Sequence, residues 1–304
     1  MRMFDQKFQS TLKKRVTLSG VGIHTGKRVR LELCPRPENT GIWFERVDIA
    51  DSGLIRAHIS SVSSTTRATS LSNDKARVTT VEHLLSALTA LGIDNLLCRM
   101  DAEEIPVLDG SSLPFVKAIL KTGIAKQNAP KQFLKVLKKV EVRDGDKLAS
   151  IEPANALEIE YSISFPHPAI GTQSFLYSHA TDFARDIAPS RTFGFMSEVE
   201  RMRAMGLALG GSLENTVVLD GDTVLNPEGL RFADEFVRHK VLDAIGDLSL
   251  GEHYLIGRVE LHKAGHEMQT RLIRELLNQQ DAYRIVSSQN LGSLVQPQAQ
   301  SAIA

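Results

Sequence analysis

Each half of the chain passes through short strand-like segments before it reaches a helical period, and this order limits the possible folds. In the first half, alternating apolar residues predict strands within 12–34 and 40–72, and a helical period begins at Thr79. In the second half, 133–164 is strand-like and a long helix is predicted over 229–250. Shorter elements are predicted as strands at 96–100 and 255–262, helices at 113–122, 196–205 and 268–280, and an irregular stretch at 172–192. Strands that precede helices are typical of an α+β fold rather than a doubly wound parallel sheet, so we expect an α+β protein.

Chain length and one polar segment predict two domains. At 304 residues the chain exceeds one ordinary core, and domains of roughly 150 residues are common. The polar, proline-containing stretch at 127–132 is the best linker candidate. The expected units are therefore an N-terminal domain over 1–126 and a C-terminal domain over 133–304, with a small, polar and loose tail at 287–304.

Charge and apolar runs argue against several classes of protein. Lys plus Arg and Asp plus Glu each number 36, which removes the overall basic field of a nonspecific nucleic-acid binder, so no nucleic-acid partner is expected. Residues 1–16 lack the apolar core of a signal peptide, and no apolar run approaches the ~20 residues that span a bilayer. Cys34 and Cys98 form no Cys-x-x-Cys motif and are expected to be reduced, buried thiols. We therefore expect a cytoplasmic protein without a transmembrane segment.

The predicted helix over 229–250 is the most informative segment for chemistry. At ~100° per residue, His239, Asp243 and Asp247 share one narrow stripe of this helix. A His and an Asp four residues apart can point two ligand atoms at one zinc ion. The same spacing suits an ordinary His–Asp hydrogen bond, which is the more common arrangement for such pairs. Spacing alone leaves both interpretations open.

Three other histidines could take part in chemistry. Glu82 and His83 point roughly 100° apart on the first helix, so one could bind a metal while the other reaches a metal-bound water. A polar helix N-terminus explains the same pair equally well. His266, in a glycine-containing loop, could be a general acid or only a capping or surface residue, and His24 in the turn GVGIHTG suits a structural role at least as well as a catalytic one. Taken alone, these residues support only the hypothesis of a metal-dependent hydrolase.

Five long segments, taken together, are far more specific than any of these motifs. They are TVEHLLSALTALGIDN (80–95), EIPVLDGSSLPFV (104–116), SRTFGFM (190–196), LALGGSLENTVV (207–218) and LNPEGLRFADEFVRHKVLDAIGDL (225–248). In sequence, order and spacing, from about residue 12 to residue 285, the chain resembles the UDP-3-O-acyl-N-acetylglucosamine deacetylase family. Members of this family commit Gram-negative bacteria to lipid A synthesis.

The resemblance implies a fold and a metal centre. The family fold has two α+β domains of similar topology, with the helices packed together at the centre, the sheets outside and a small insert in each domain. In this chain the second insert would occupy about 193–224. The cofactor would be one catalytic Zn²⁺ ion, held by His83, His239 and Asp243.

The resemblance also implies catalytic roles. Glu82 would be the general base and His266 the general acid, with Asp247 orienting His266. Thr192 and Lys240 would help to stabilise the oxyanion and to hold the substrate.

The implied substrate is an acylated UDP-sugar. Phe165 in SISFPHP would stack on uracil, and Lys147 in DGDKLA would contact the diphosphate. The insert at 193–224 would form an apolar passage for the acyl chain, with plain core packing as the alternative role for its apolar residues. The substrate-binding set in this segment is Phe193, Met196, Val199, Leu207, Ala208 and Val218.

Two other functions remain as alternatives. A sugar-nucleotide-binding protein with a structural metal would have a closed four-ligand zinc site and no turnover, whereas only three good ligands are found here. An amidase for a different substrate would keep the site and change the pocket. The stretch SSTTRATSL departs from the family at Arg67, where relatives carry small or apolar residues. The tail that ends in SAIA could be recognised by a protease, as small apolar tails are in some relatives.

Overall fold

The computed structural model describes residues 6–290 and has the expected α+β fold. The strands of the first half are β1 (Phe8–Leu12), β2 (Val16–Val21), β3 (Arg28–Pro35), β4 (Ile42–Arg46), β5 (Leu54–Arg56), β6 (Val62–Ser64), β7 (Ser70–Ser72), β8 (Arg77–Thr79), β9 (Leu96–Met100) and β10 (Ile124–Pro130). Those of the second half are β11 (Gln132–Val136), β12 (Val140–Asp144), β13 (Lys147–Glu152), β14 (Leu157–Ser164), β15 (Thr172–Tyr177), β16 (Phe193–Phe195), β17 (Val217–Asp220), β18 (Thr223–Val224), β19 (Tyr254–His262) and β20 (Tyr283–Ser287). The α-helices are α1 (Glu82–Leu91), α2 (Leu113–Thr122), α3 (Met196–Ala204), α4 (Glu235–Leu248) and α5 (His266–Asn278).

The first-half sheet has the strand order β2-β3-β9-β4-β5. Along β3, Val29, Leu31 and Leu33 are buried while the residues between them are exposed or half-buried, as the two-residue period of a strand requires. The buried side chains join Leu88 of α1 and Phe115 of α2 in one apolar core. One face of this sheet therefore packs into the core together with α1 and α2.

The second-half sheet is built around the long strand β19. Its first residues, Tyr254–Ile256, pair in parallel with β11, and its later residues lie between antiparallel β13 and parallel β14. β12 pairs with β13, β15 with β14 and β20 with β11. On this sheet, α4 packs against β14 and β15, while α5 packs against β12 and β13.

The helices of the two halves meet where α1 packs against α4. Gly246 of α4 lies so close to α1 that a Cβ atom at this position would be 2.1 Å from the carbonyl oxygen of Glu82. Only glycine permits such an approach. The first turn of α1 is thereby brought against the stripe of α4 that carries the predicted ligands.

Each half of the chain also carries a three-stranded sheet. One consists of β6, β7 and β8, and the other of β16, β17 and β18. The second of these sheets, with α3, occupies the segment 193–224 for which the resemblance implied an insert.

The segment proposed as a linker, 127–132, belongs to two strands. β10 pairs antiparallel with β1, and β11 begins at Gln132. Between them, the side chain of Lys131 is fully buried. The polar composition of the segment reflects outward-facing side chains of β10, and the backbone there is paired as a strand. The domain boundary at this segment stays a prediction.

Two expectations differ from the structure. The helix predicted over 229–250 begins only at Glu235, because the N–H of Arg231 donates to Glu235 Oε2 at 2.6 Å and forms a turn before the helix. The stretch 172–192, predicted to be irregular, contains β15 and a π-helical turn at Phe183–Ile187. In both places side-chain or tertiary contacts outweigh the local pattern.

The remaining expectations concern the tail, the membrane and the cysteines. Ser287 is the last residue of β20, and residues 291–304, with the proposed protease signal, lie outside the described residues. Within 6–290 no helix is long and apolar enough to cross a bilayer. Cys98 is buried and Cys34 is half-buried, and both are free thiols.

Candidate active site

The predicted metal ligands converge at the contact between α1 and α4. His83 is the second residue of α1, while His239 and Asp243 lie one turn apart on α4. Asp243 Oδ1 is 3.5 Å from His83 Nε2 and 3.4 Å from His239 Nε2. One ligand atom from each residue lies within 4.8 Å of the others, and all three side chains are buried. The structure therefore brings together the three residues that the resemblance selected.

A backbone carbonyl sets the tautomer of His239. His239 Nδ1 lies 3.1 Å from the carbonyl oxygen of Ser190, which can only accept a hydrogen bond. Nδ1 thus carries the proton, and Nε2 presents its lone pair toward Asp243, which is the arrangement usual for a metal-binding histidine. Burial lowers the pKa of His239 to about 3 although the Asp243 carboxylate opposes the shift, so the imidazole is neutral.

Asp243 supplies the observation that fits a cation. Its Oδ2 accepts from Lys240 Nζ at 2.9 Å, whereas its buried Oδ1 has no hydrogen-bond partner within residues 6–290. Burial would raise the pKa of Asp243, but nearby positive charge, including that of Lys240, holds it well below its usual range, so the carboxylate is ionised. A buried oxygen without a partner costs about 1–3 kcal/mol. Two imidazoles and one ionised carboxylate form a donor set that suits zinc and leave a fourth position open.

A second His–Asp pair lies beside this cluster. His266, the first residue of α5, has its Nδ1 2.7 Å from Asp247 Oδ2. Burial would lower the pKa of His266, but the adjacent Asp247 charge and hydrogen bond outweigh it and raise the pKa to about 9. His266 is therefore protonated at neutral pH and can donate a proton.

Glu82 is linked to this pair through Thr69. Glu82 is the buried first residue of α1, and its Oε2 accepts from the N–H of Thr69 at 3.1 Å. The hydroxyl of Thr69 donates to Asp247 Oδ1 at 2.6 Å. Burial raises the pKa of Glu82, although the positive charge of His266 opposes the shift. A carboxylate with a raised pKa is a better proton acceptor than an ordinary one.

Four of these residues, Glu82, His239, Asp243 and His266, line a cavity of about 570 Å³. The rest of its wall comes mainly from β16, α3 and the segment that leads to β17. The polar lining includes Glu82, Thr192, His239, Lys240, Asp243 and His266. The apolar lining includes Phe165, Phe193, Met196, Val199, Met202, Ala208, Leu213 and Val218. The cavity thus joins a cluster of catalytic residue types to an apolar chamber.

Sequence comparison identifies the family of the chain. Residues 9–278 match the family described as UDP-3-O-acyl N-acetylglycosamine deacetylase, LpxC. The chain belongs to this family.

Individual relatives match over nearly their full length. A UDP-3-O-acyl-N-acetylglucosamine deacetylase of Citrifermentans bemidjiense is 48% identical over 281 residues, which cover 92% of each chain. One of Shewanella oneidensis is 47% identical over 284 residues, which cover 92% of this chain and 93% of the relative. Both the resemblance found in the sequence and its extent are confirmed.

The structure separates the predicted substrate-binding residues into two groups. Phe165 packs edge-on against Phe193 with ring centroids 5.8 Å apart, and both line the cavity. Met196, which also lines it, is 39% exposed and so is not a core residue. Leu207 and Lys147 are not lining residues, and Lys147 Nζ lies 3.2 Å from Asp144 in the β12–β13 hairpin.

Some lining contacts could not be predicted from the sequence. The backbone N–H groups of His24 and Thr25 donate to the buried carboxylate of Glu104, at 2.9 and 2.8 Å, and this holds the glycine turn in the cavity wall. Arg67 pairs with Glu198 of α3 at 2.9 Å, and both residues line the cavity. The glycine-rich turn is recognisable in the sequence. Its contact with Glu104 is not, because that residue lies about eighty residues away along the chain.

Proposed function

We propose that this chain is a zinc-dependent deacetylase that removes the N-acetyl group from UDP-3-O-acyl-N-acetylglucosamine, the committed step of lipid A biosynthesis. The observation that carries the proposal is the convergence of His83, His239 and Asp243 beside Glu82 and a protonated His266. The two relatives named above, both UDP-3-O-acyl-N-acetylglucosamine deacetylases, support the same activity.

The proposed ligands of a single Zn²⁺ ion are His83, His239 and Asp243. When bound, zinc supplies Lewis acidity that polarises the acetyl carbonyl and lowers the pKa of water. The unpartnered Asp243 Oδ1 and the neutral His239 support this assignment because both lack a proton that a cation would have to displace.

Glu82 and His266 are the proposed proton-transfer groups. Glu82 accepts the proton of the attacking water, and its raised pKa suits that role. His266 donates a proton to the departing sugar amine, which is otherwise a poor leaving group. Asp247 holds His266 in its protonated form and fixes its orientation.

Thr192 and Lys240 are proposed to stabilise the oxyanion and to hold the substrate. The backbone N–H of Thr192 donates to the Gly110 carbonyl at 2.8 Å, so the side-chain hydroxyl is the group proposed to face the substrate. Lys240 Nζ donates to Asp243 Oδ2 at 2.9 Å. Burial would lower the pKa of Lys240, but the Asp243 carboxylate raises it, so the ammonium group stays charged.

The rest of the substrate is assigned by chemistry. The apolar chamber suits a fatty acyl chain, Phe165 is proposed to stack on uracil, and Lys147 is proposed to contact the diphosphate. We keep the proposal that 1–126 and 133–304 are separate domains with the site between them, and that the protein works in the cytoplasm without a nucleic-acid partner.

The decisive test measures acetate release from the acylated UDP-sugar and the zinc content of the purified protein. The expected result is about one zinc per chain and turnover that falls by about 10²- to 10⁴-fold in Glu82→Gln and in His266→Gln. Glu200→Gln, on the outer part of α3, is the matched control and should keep full activity. Zinc binding without acetate release would instead indicate a sugar-nucleotide-binding protein, and full activity in both variants would refute the assigned roles.

A further inference from the structure

A buried ion pair lies next to the candidate metal centre. The guanidinium of Arg191 and the carboxylate of Glu235 are 1% and 0% exposed, and Arg191 Nε donates to Glu235 Oε1 at 2.9 Å. The other nitrogens of Arg191 donate to Glu228 and to the carbonyl of Gly229. Removing two charges from water costs free energy that their attraction repays only in part. A contribution to folding stability is therefore a weak explanation for this buried pair.

Glu235 binds backbone as well as side chain. Its Oε1 accepts from the N–H of Arg191 at 2.9 Å, and its Oε2 accepts from the N–H of Arg231 at 2.6 Å. Oε2 also accepts from Arg191 Nη2 at 3.2 Å. One carboxylate at the start of α4 thus fixes the chain at residue 191 to the helix.

The segment held in this way carries two functional contacts. The carbonyl of Ser190, immediately before Arg191, accepts from Nδ1 of His239 at 3.1 Å. Thr192, immediately after it, lines the cavity. His239 lies one turn beyond Glu235 on the same helix, so these hydrogen bonds form a closed loop that begins and ends on α4.

We propose that Glu235 is a positioning residue for the metal centre. It holds the backbone N–H of Arg191, which places the Ser190 carbonyl against His239 Nδ1 and so fixes the ring orientation and tautomer of this ligand. The inference rests on the proposed metal site. Glu235 is not a lining residue of the cavity, and within residues 6–290 the hydrogen bonds of its carboxylate go to Arg191 and Arg231.

The test compares two carboxylates that bind the same guanidinium. In Glu235→Gln, the charge and part of the acceptor capacity are lost, and zinc affinity, measured by competition with a chelator, should fall about 10- to 100-fold. The visible spectrum of the Co²⁺-substituted protein should change, and kcat should fall more than KM rises. Glu228→Gln is the matched control, because Glu228 is 55% exposed and binds Arg191 without touching the 190–192 backbone.

Every outcome of this test either supports or overturns the role proposed for Glu235. The proposal is overturned if Glu235→Gln keeps its zinc affinity to within about threefold of wild type, even with a lower melting temperature, or if Glu228→Gln loses as much affinity. If Glu235→Gln does not fold, Glu235→Asp replaces it. Its carboxylate is too short to reach all its donors, so the same loss is expected and unchanged affinity overturns the proposal. A wild-type protein that binds no zinc refutes the proposed function, whereas zinc binding with an unaffected Glu235 variant refutes this inference alone.

Discussion

At the scale of single residues, the candidate site contains two histidines in opposite protonation states. His239 is neutral, with its pKa lowered to about 3 by burial, and its Nε2 is 3.4 Å from Asp243. His266 is protonated, with its pKa raised to about 9, because its Nδ1 lies only 2.7 Å from Asp247. A neutral imidazole suits a metal ligand and a protonated one suits a proton donor, so the two protonation states fit the roles proposed for these histidines.

Asp247→Asn should shift the pH profile of the reaction. Asp247 raises the pKa of His266, so its removal lowers that pKa and the proton donor is lost at a lower pH. The alkaline limb of kcat/KM should therefore move toward acid by about 1–3 pH units. Asp146→Asn, at an exposed carboxylate that pairs with Lys263, should leave the limb unchanged. An unmoved limb in Asp247→Asn would exclude His266 as the group that titrates there.

At the scale of elements, the site depends on the close packing of α1 against α4. Glu82 and the proposed ligand His83 begin one helix, and the other two proposed ligands, His239 and Asp243, lie on the other. Since the ligand atoms are only a few ångströms apart, any separation of the helices disperses them.

Gly246→Ala should lower both stability and activity. The new Cβ would lie 2.1 Å from the Glu82 carbonyl, so the helices must move apart, at a cost of about 1–3 kcal/mol. Urea unfolding with and without zinc measures this loss. Gly251→Ala is the control, because its Cβ would make only ordinary contacts, the nearest at 3.6 Å. Equal stabilities of the two variants would contradict the tight contact.

At the scale of the whole molecule, a second polar cluster ties the halves together away from the cavity. Lys131, between β10 and β11, donates to Asp94 Oδ2 at 2.5 Å and to the Gly92 carbonyl at 2.8 Å, at the end of α1. Its Nζ also lies 4.4 Å from the ring centroid of Tyr254 in β19. The segment between the halves is thus anchored and is not a free tether.

Lys131→Met should destabilise the protein strongly. The methionine side chain has nearly the same length, but Asp94 stays largely buried without its cation. The free energy of unfolding should therefore fall by about 3–5 kcal/mol. Lys138→Met, in an exposed pair with Asp281, should change the free energy of unfolding by no more than about 1 kcal/mol. Similar small losses in both variants, measured by denaturant unfolding, would show that Lys131 is not an anchor.

The local sequence pattern predicted many of the helices and strands but few of the contacts between them. The helix that follows Thr79 was predicted because its apolar periodicity is a local signal. The strand β10 was not, because polar composition reports exposure and not backbone pairing. On spacing alone, His239 and Asp243 were more simply explained as an ordinary hydrogen-bonded pair, and the resemblance was needed to add His83. The contacts of Ser190, Glu235 and Thr69 involve backbone atoms or residues distant in sequence, which leave no periodic trace.

Thr69 gives the two proposed proton-transfer groups a common point of reference. Its N–H binds Glu82 and its hydroxyl binds Asp247, the partner of His266. Because one residue donates to both carboxylates, the positions of the proposed proton acceptor and of the residue that orients the proposed proton donor depend on each other. A substitution that removes the Thr69 hydroxyl would therefore disturb a contact that both proton transfers share.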